Sequence, residues 1–445
     1  MAGKKKKEAY DPFMLLRPQY LLPELEPLAR ELYELACKGS KHVWSEIESN
    51  GFKNNKALQE KFLTAAHAGM NAAQRKIVEV IRSDVQLTGS HQVLFRGIAD
   101  AMAWQLIRQQ LCHARTYYKE HPPVNLKESN FDSVVSCAEE FATQKPGSFS
   151  LISDLTSFIQ VGDLLTMDSD GKITLSEVKE GKKNHEILEF MNFIIETPCD
   201  HAFNHFAKLH GKDGIKQLQR MFRQTVRMTH VNDVMNTGKS RDPDSEKEIR
   251  IPDEVVYIGT WYEKLDEILK NCDAKGWGWN VIDECFFVGA YSKDIHNGHG
   301  HVIFNHVFDN YEWSEDSPRF RLFDSMLAPL ALTIFNLEIS EEHKFDILFG
   351  RKNVCLGLNI GYFLDELRKS GLKVRPATNK EASKMDQQRT PPYRWNGKAI
   401  FIGNERRELC LSDGIFMRIF FHGQRPVELV HALLNNLALE EEDQQ

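Results

Sequence analysis

Three side chains in one short segment have the types and spacing that acid–base and metal chemistry use. Asp163 begins one predicted strand, and Glu177-Val178-Lys179 ends the next. Between them, residues 168–171 predict a hairpin turn, because a glycine closes the turn and supplies positive φ. Glu177 and Lys179 lie two apart on a strand, so their side chains point to one face. We therefore expect the Asp163 carboxylate to lie beside Glu177.

Two adjacent carboxylates favour a bound cation. The groups repel each other and hold protons more tightly unless a positive ion joins them. Mg²⁺ accepts one or two carboxylates together with water and phosphate oxygens. A lysine beside such a metal can orient or activate an attacking water. The segment therefore predicts a site for Mg²⁺ or Mn²⁺ at Asp163 and Glu177, with Lys179 next to it.

This pattern resembles the PD-(D/E)xK nuclease superfamily. There an acid opens the second core strand and E-x-K lies on the third, which here would be Asp163 and Glu177-Val178-Lys179, with the Val178 carbonyl as a further metal ligand. The resemblance covers roughly residues 90–260. It implies the α/β, restriction-endonuclease-like fold, a mixed sheet flanked by helices in α-β-β-β-α-β order. Gly162 precedes the acid in place of the usual proline.

The resemblance also implies an activity. A metal-dependent endonuclease of this kind hydrolyses phosphodiester bonds in line and leaves a 5′-phosphate and a 3′-hydroxyl, with DNA the expected substrate. Analogy implies a bacterial anti-phage defence or restriction role, with a partner protein or a homo-oligomer as further expectations. The rival interpretation is a non-catalytic nucleic-acid-binding or scaffold subunit that serves a partner ATPase or helicase. The complete set of Asp163, Glu177 and Lys179 favours the nuclease.

The helix predicted over residues 214–228 carries a basic stripe. Four cations recur at helical spacing: Lys216, Arg220, Arg223 and Arg227. A separate apolar stripe consists of Ile215, Leu218, Phe222 and Val226. The helix can thus pack on the sheet and offer cations to phosphates, although a solvated basic face is the alternative. Gln217 resembles the Gln or Lys that several branches of the superfamily place near the scissile phosphate.

The superfamily often adds a further acid from a helix before the sheet, and two candidates exist. Asp100 lies between Ala99 and Ala101, which allow close approach to the sheet, whereas Glu139 is nearer in sequence. We favour Asp100. Its alternative role is an ion pair with Arg96, four residues earlier on the same helix face.

The chain as a whole divides into three predicted regions. Residues 1–88 are expected to form a helical N-terminal region, and residues 89–260 the nuclease core. Residues 261–445 are expected to form a C-terminal α/β domain for recognition, regulation or oligomerisation, because we find no catalytic motif there.

Several finer expectations concern the second half of the chain. Residues 236–251 contain two large apolar side chains, Ile249 and Ile251, among mostly polar residues and predict a mobile loop. The strand predicted at 254–259 would join or abut the nuclease sheet. Further strands are predicted at 301–304 and 416–421.

A histidine-rich turn contains His296, His299 and His301. A zinc site needs three or four convergent ligands. Histidines in a glycine-rich turn are more often at the surface or hydrogen-bonded, so we favour that interpretation over zinc.

Composition limits the class of protein. The 445 residues carry a formal net charge of −7, so a nucleic-acid site must be a local basic patch. The eight cysteines include no CxxC pair, which argues against a zinc ribbon, and a phosphate-binding GxxxxGK[ST] motif is absent. Neither a secretory signal nor a membrane-spanning apolar stretch is evident, so we expect a cytoplasmic protein without membrane contact.

Overall fold

A computed structural model describes most of the chain. The described residues are 20–52, 55–126, 131–179, 181–241, 248–250, 258–296, 298–385, 392–405 and 407–442. They form a mixed α/β architecture in two compact units. One unit comprises Pro27–Val255 and Ala328–Asn336, and the other comprises Met1–Glu26, Val256–Leu327 and Leu337–Gln445. Within the described part, no helix is long and apolar enough to cross a membrane.

The unit that contains the candidate site is mostly helical. Its helices are α1 (Glu26–Lys38), α2 (Lys41–Asn50), α3 (Lys56–Arg82), α4 (Gly89–Leu106), α5 (Leu111–Tyr117), α6 (Phe131–Gln144), α7 (Lys182–Glu196) and α8 (Asp200–Thr237). Its strands are β1 (Phe149–Ile152), β2 (Leu164–Met167), β3 (Ile173–Ser176), β4 (Lys239–Arg241) and β5 (Glu248–Arg250). Helix α4 is buried on all sides from Leu94 to Trp104, as expected for a central helix.

The candidate site lies on a three-stranded antiparallel sheet in the order β1-β2-β3. The register places Leu165 of β2 between Leu151 and Leu175. The turn between β2 and β3 is the predicted hairpin. Gly171 has a φ of 78°, and the Asp168 carboxylate accepts two backbone hydrogen bonds within the turn.

Helix α3 covers the outer edge of β1. His67 Nδ1 lies 2.7 Å from the Gly147 carbonyl oxygen. The Gln74 amide donates to the Ser150 carbonyl and accepts from the Ile152 amide, each at 2.9 Å. These side chains satisfy edge groups that a further strand would otherwise use.

Helix α8 covers the opposite edge in the same way. The Asn232 side-chain oxygen accepts from the Leu175 backbone amide at 2.8 Å. Asn236 accepts from the Ile173 amide at 3.1 Å and donates to the Ile173 carbonyl at 2.7 Å. Side-chain amides from helices α3 and α8 therefore occupy the hydrogen-bonding groups at both edges of the sheet. Within the described residues, the sheet has three strands.

This sheet differs from the expected mixed sheet. The order α6-β1-β2-β3-α7 agrees with the first five elements of the expected order. However, the strand pairings of the described residues are all antiparallel. Most of the strand predicted at 254–259 lies outside the described residues.

The predicted loop over 236–251 is partly ordered into a hairpin, which corrects the expectation. Helix α8 continues to Thr237, and β4 then pairs with β5 in antiparallel register, Lys239 opposite Arg250. Backbone groups make the ladder bonds, so a polar sequence can still pair. Residues 242–247 lie outside the described part.

The other unit contains two antiparallel sheets. Its helices are α9 (Tyr262–Lys275), α10 (Lys293–His296), α11 (Gly300–Asp309), α12 (Glu341–Leu348), α13 (Ile360–Lys369), α14 (Asn379–Met385), α15 (Asp413–Phe421) and α16 (Pro426–Glu442). Its strands are β6 (Trp277–Ile282), β7 (Phe286–Ser292), β8 (Arg319–Arg321), β9 (Lys352–Leu358), β10 (Lys373–Pro376), β11 (Arg394–Trp395), β12 (Lys398–Gly403) and β13 (Glu408–Cys410). One sheet has the order β6-β7-β9-β8, and β12 is the centre of the other.

Two strand predictions in this unit are wrong. Residues 301–304 lie in helix α11, and residues 416–421 lie in helix α15. Both are short apolar runs, which periodicity alone cannot distinguish from a buried helix. In α15 the sequence is apolar because the helix is buried on most sides, from Gly414 to Phe421.

The two units differ from the three expected regions. Helix α3 belongs to the same unit as the sheet whose edge it covers, so the described residues from 27 to 88 are part of the same unit as the predicted core. The segment Ala328–Asn336 also belongs to this unit. The Trp104 indole donates to the Ala331 carbonyl at 2.9 Å, and the rings of Tyr33 and Phe335 stack at 5.9 Å. Because these contacts join residues far apart in the sequence, local sequence patterns could not predict where this unit begins and ends.

Candidate active site

Asp163 is held against the end of β3. Its amide donates to the Ser176 carbonyl at 2.8 Å, and its carboxylate accepts from the Val178 amide at 2.6 Å. Gly162, just before it, has a φ of 75°. Proline is restricted to a φ near −65° and could not adopt this conformation. Glycine adopts this conformation without strain.

Glu177, Lys179 and Gln224 form a hydrogen-bonded cluster. The Lys179 ammonium donates to Glu177 Oε1 at 2.6 Å and to Gln224 Oε1 at 3.1 Å. The Gln224 amide donates to the same Glu177 oxygen at 3.1 Å. The Glu177 and Lys179 side chains are only 16% and 17% exposed. Because Gln224 of helix α8 bonds to both, the helix holds these partly buried side chains in position.

The electrostatic environment of Asp163 disfavours its charged form. Burial and the neighbouring Glu177 carboxylate raise the pKa of Asp163 from 3.8 to about 6. The Val178 amide and the Lys179 ammonium act in the opposite direction but do not offset these effects. The Glu177 carboxylate thus acts against ionisation of Asp163.

The two carboxylates retain capacity for a cation. Val178 engages one oxygen of Asp163, and Lys179 and Gln224 engage one oxygen of Glu177. The bonds among the described residues thus leave the second oxygen of each carboxylate for another ligand. No group of three or more His, Cys, Asp or Glu side chains in the described part of the chain could hold a metal ion. Any metal at this position would therefore have at most the Asp163 and Glu177 carboxylates as side-chain ligands, a number that Mg²⁺ accepts when carbonyl and water oxygens complete its shell.

Gln224, rather than Gln217, reaches the acid cluster. Gln217 lies two helical turns earlier on the same face and donates to the Asn184 side chain at 3.3 Å. Sequence analysis missed Gln224. Gln224 lies seven residues after Gln217, so both side chains lie on one face of the helix. This spacing does not indicate which of the two contacts the acids.

The basic stripe is at the surface of α8. Lys216, Arg220, Arg223 and Arg227 are all exposed. Their positions are compatible with phosphate binding and with a solvated face alike.

The predicted apolar stripe only partly packs on the core. Leu218 and Met221 are buried with Phe206 in one cluster. Phe222 and Val226 are instead 48% and 36% exposed. The helix is thus rotated relative to expectation, because Met221 replaces Phe222 as the second core contact.

Asp100 holds a loop rather than joining the acid cluster. Its carboxylate accepts from the Ser157 amide at 2.7 Å, and burial raises the pKa of Asp100 to about 6. Arg96 favours the charged form of this carboxylate, and its guanidinium donates to the Asp154 and Thr156 carbonyls. Arg96 and Asp100 therefore each bond to the backbone of the connection from β1 towards Asp163, rather than to each other as an ion pair.

Further acids lie on α6 and in the turn after β1. Glu139 lines a groove between α3 and α6 and is exposed. On the same helix, burial, Glu140 and Asp163 together raise the pKa of Cys137, so the Glu140 side of α6 approaches Asp163. Asp154, in the turn after β1, also raises the pKa of Asp163. Sequence spacing gave no signal for Asp154, whose position depends on the fold of the β1–β2 connection.

The histidine-rich turn forms helix ends in the other unit. His296 ends α10, and His301 is buried in the first turn of α11. Burial lowers the pKa of His301. Because the described residues contain no cluster of three side chains able to hold a metal ion, these histidines do not converge as zinc ligands there.

Comparison with known proteins gives no family assignment. No family model matches the chain, and neither the curated proteins nor the solved structures include a match. Functional interpretation therefore rests on the site itself.

Proposed function

We propose that the protein is a metal-dependent nuclease of the PD-(D/E)xK type that hydrolyses phosphodiester bonds of nucleic acid, most readily DNA. The proposal includes a restriction-endonuclease-like core. Its support at the level of fold is the order α6-β1-β2-β3-α7, with Asp163 directly before the second strand and Glu177 directly after the third.

One observation carries the proposal. Burial and the facing Glu177 carboxylate raise the pKa of Asp163 to about 6, and Lys179 is bonded to Glu177 at 2.6 Å. A purely structural role would not require two partly buried acids side by side, because such a pair costs stability unless a cation joins it. Two carboxylates beside a lysine instead suit a divalent cation that in turn binds a phosphate group.

Asp163, Glu177 and the Val178 carbonyl would hold Mg²⁺ or Mn²⁺. When bound, such an ion polarises a phosphoryl oxygen and lowers the pKa of a coordinated water. The Val178 amide keeps Asp163 oriented towards the site through its 2.6 Å bond. The acids therefore do not depend on the ion for their position.

Lys179 and Gln224 would act on the substrate. The Lys179 ammonium can donate to the negative charge that develops on the phosphate and can orient the attacking water. Gln224 holds both Lys179 and Glu177 from helix α8 and so fixes their separation. The exposed cations of the same helix can bind the flanking phosphates.

A cleavage assay on labelled DNA with the full chain tests this function. We expect cleavage in Mg²⁺ or Mn²⁺, products that bear a 5′-phosphate, and no cleavage in EDTA. Asp163→Asn should abolish cleavage. Asp170→Asn removes an exposed carboxylate from the turn of the same hairpin and should leave the rate unchanged. Cleavage that persists in EDTA, or wild-type protein that cuts neither single-stranded nor duplex DNA, would contradict the proposal.

A further inference from the structure

An exposed apolar groove lies between α7 and α8. It has a volume of about 510 Å³ and is lined mainly by apolar side chains, with Arg223 at its border. Three of the lining residues are strongly exposed: Ile195 at 53%, Phe203 at 40% and Phe222 at 48%. Phenylalanines at this exposure leave ring faces in contact with water, which is unfavourable unless a ligand covers them.

The groove and the acid cluster lie on opposite flanks of the basic stripe. Successive helical residues differ in direction by about 100°, so Phe222 and Gln224 point to either side of Arg223. Gln224 reaches Glu177 and Lys179, and Phe222 lines the groove. Arg220 and Arg223 lie between these two surfaces and are exposed. A chain of phosphates on the stripe would therefore have the acids on one side and aromatic rings on the other.

We propose that this groove binds unpaired bases of single-stranded nucleic acid, whose phosphates lie on the basic stripe. This proposal rests on the proposed nuclease function and specifies its substrate class. Two features select the occupant: the cations complement a polyanion, and the exposed rings complement flat aromatic groups. Single-stranded nucleic acid combines both, since base stacking on aromatic side chains and backbone contact with cations are its usual binding mode.

Duplex DNA does not make the same use of the groove. Its bases are stacked inside the helix, so it presents phosphates and groove edges rather than base faces. Arg220 and Arg223 can still bind a duplex through phosphates. Phe222 should therefore distinguish a strand with unpaired bases from a duplex, whereas the basic stripe should not.

Binding measurements on the full chain in EDTA test the proposal without cleavage. The probes are a fluorescent single-stranded oligonucleotide, the matching duplex, and a strand of equal length with abasic sites. We expect wild-type protein to bind the base-containing strand more tightly than the abasic strand. Phe222→Ala should weaken binding of the base-containing strand about 5- to 100-fold and leave the other two probes within about 2-fold.

Two variants serve as controls for the aromatic ring. Phe222→Trp keeps a stacking surface and should retain wild-type affinity. Leu209→Ala removes another exposed apolar side chain, which lies before the kink at Gly211 in α8 and outside the groove, and should change nothing. Because Phe222 is exposed, its loss is not expected to unfold the protein, which a melting curve verifies.

Three results would overturn the proposal. They are wild-type affinity of Phe222→Ala for the base-containing strand, an equal loss of affinity for all three probes, and no binding of any probe by wild-type protein. If the first occurs while metal-dependent cleavage persists, the nuclease function stands and the groove serves another partner, such as a protein segment. If stacking is found without cleavage, the binding site stands and the nuclease function fails.

Discussion

At the scale of single residues, Asp163 is a carboxyl group whose charged form is disfavoured in the folded protein. Its pKa of about 6 exceeds the ordinary value of 3.8, so the folded state binds more protons between these two pH values. Asp163 therefore lowers stability above pH 6, and this effect disappears as the pH falls to about 4. The cost of this residue is consistent with a functional rather than a stabilising role.

Asp163→Asn should consequently stabilise the metal-free protein while it abolishes cleavage. Asparagine can still accept the Val178 hydrogen bond but carries no charge. We expect a melting temperature roughly 2–4 °C higher at pH 7.5, with no difference near pH 4. Circular dichroism melts across this range, with Asp170→Asn as the control, provide the measurement. A lower melting temperature for Asp163→Asn at pH 7.5 would show that the carboxylates do not repel each other.

The two glutamines on one face of α8 allow a matched comparison. Gln224 bonds to Glu177 and Lys179, whereas Gln217 bonds to Asn184. Hydrogen bonds to charged groups justify an expected loss of about 10- to 100-fold in cleavage rate for Gln224→Ala. Gln217→Ala should remain within about 3-fold of wild type. Equal rates for the two variants would argue against Gln224 as a positioning residue.

The sequence predicted the acids and the lysine but not the helix residue that orders them. Asp163, Glu177 and Lys179 follow from residue type, strand alternation and one hairpin, all of which are local. Gln224 depends on how far α8 slides along the sheet, which Leu218 and Met221 determine by packing. Sequence spacing places Gln217 and Gln224 on one face but contains no information about that docking.

At the scale of elements, Arg96 and Asp100 both bond α4 to the connection between β1 and β2. Both residues are buried, and Arg96 donates to the carbonyls of Asp154 and Thr156. The connection leads to Asp163. These two residues therefore link a buried helix to the position of the candidate site.

Arg96→Ala should destabilise the protein by about 1–3 kcal/mol, because it leaves the Asp154 and Thr156 carbonyls without their donor and removes a cation that favours the charged form of Asp100. Urea unfolding at pH 7.5 measures the effect. The double variant Arg96→Ala/Asp100→Asn should recover part of the loss, since it also removes the buried charge that the cation favours. A single variant that unfolds at the wild-type urea concentration would show that Arg96 does not stabilise the loop.

Some elements were predictable and others were not, for physical reasons. The β2–β3 hairpin carries its own turn signal in Asp168 and Gly171. Residues 301–304 and 416–421 are apolar in both helix and strand interpretations, and only their tertiary surroundings select the helix. Amide side chains such as Gln74 and Asn236 cover both sheet edges. This too is a tertiary feature that local sequence patterns do not predict.

At the scale of the whole molecule, the unit with the candidate site depends on a distant segment. Residues 328–336 supply Ala331 to the Trp104 indole and Phe335 to the Tyr33 ring. Asn336 also donates to the Ala101 carbonyl at 3.2 Å. A domain drawn as one continuous stretch of sequence therefore leaves out residues that pack in its core.

A fragment of residues 20–255 should be less stable than the same unit in the full chain. Without residues 328–336, the Trp104 indole loses its acceptor and buried apolar surface becomes exposed. We expect a lower melting temperature and faster proteolysis. A fragment that melts with the full chain would show that residues 328–336 are dispensable. Fusion of residues 328–336 to the fragment through a flexible linker should restore stability if these contacts are responsible.

Single-turnover cleavage by Glu177→Gln tests the central claim most directly, because glutamine keeps the shape of the side chain and removes the charge that a divalent ion requires. The matched control is Glu189→Gln, an exposed glutamate on α7. We predict that Glu177→Gln lowers the Mg²⁺-dependent rate by more than about 100-fold, while Glu189→Gln cleaves at the wild-type rate. A Glu177→Gln protein that cleaves within about 3-fold of wild type would contradict the account of this site.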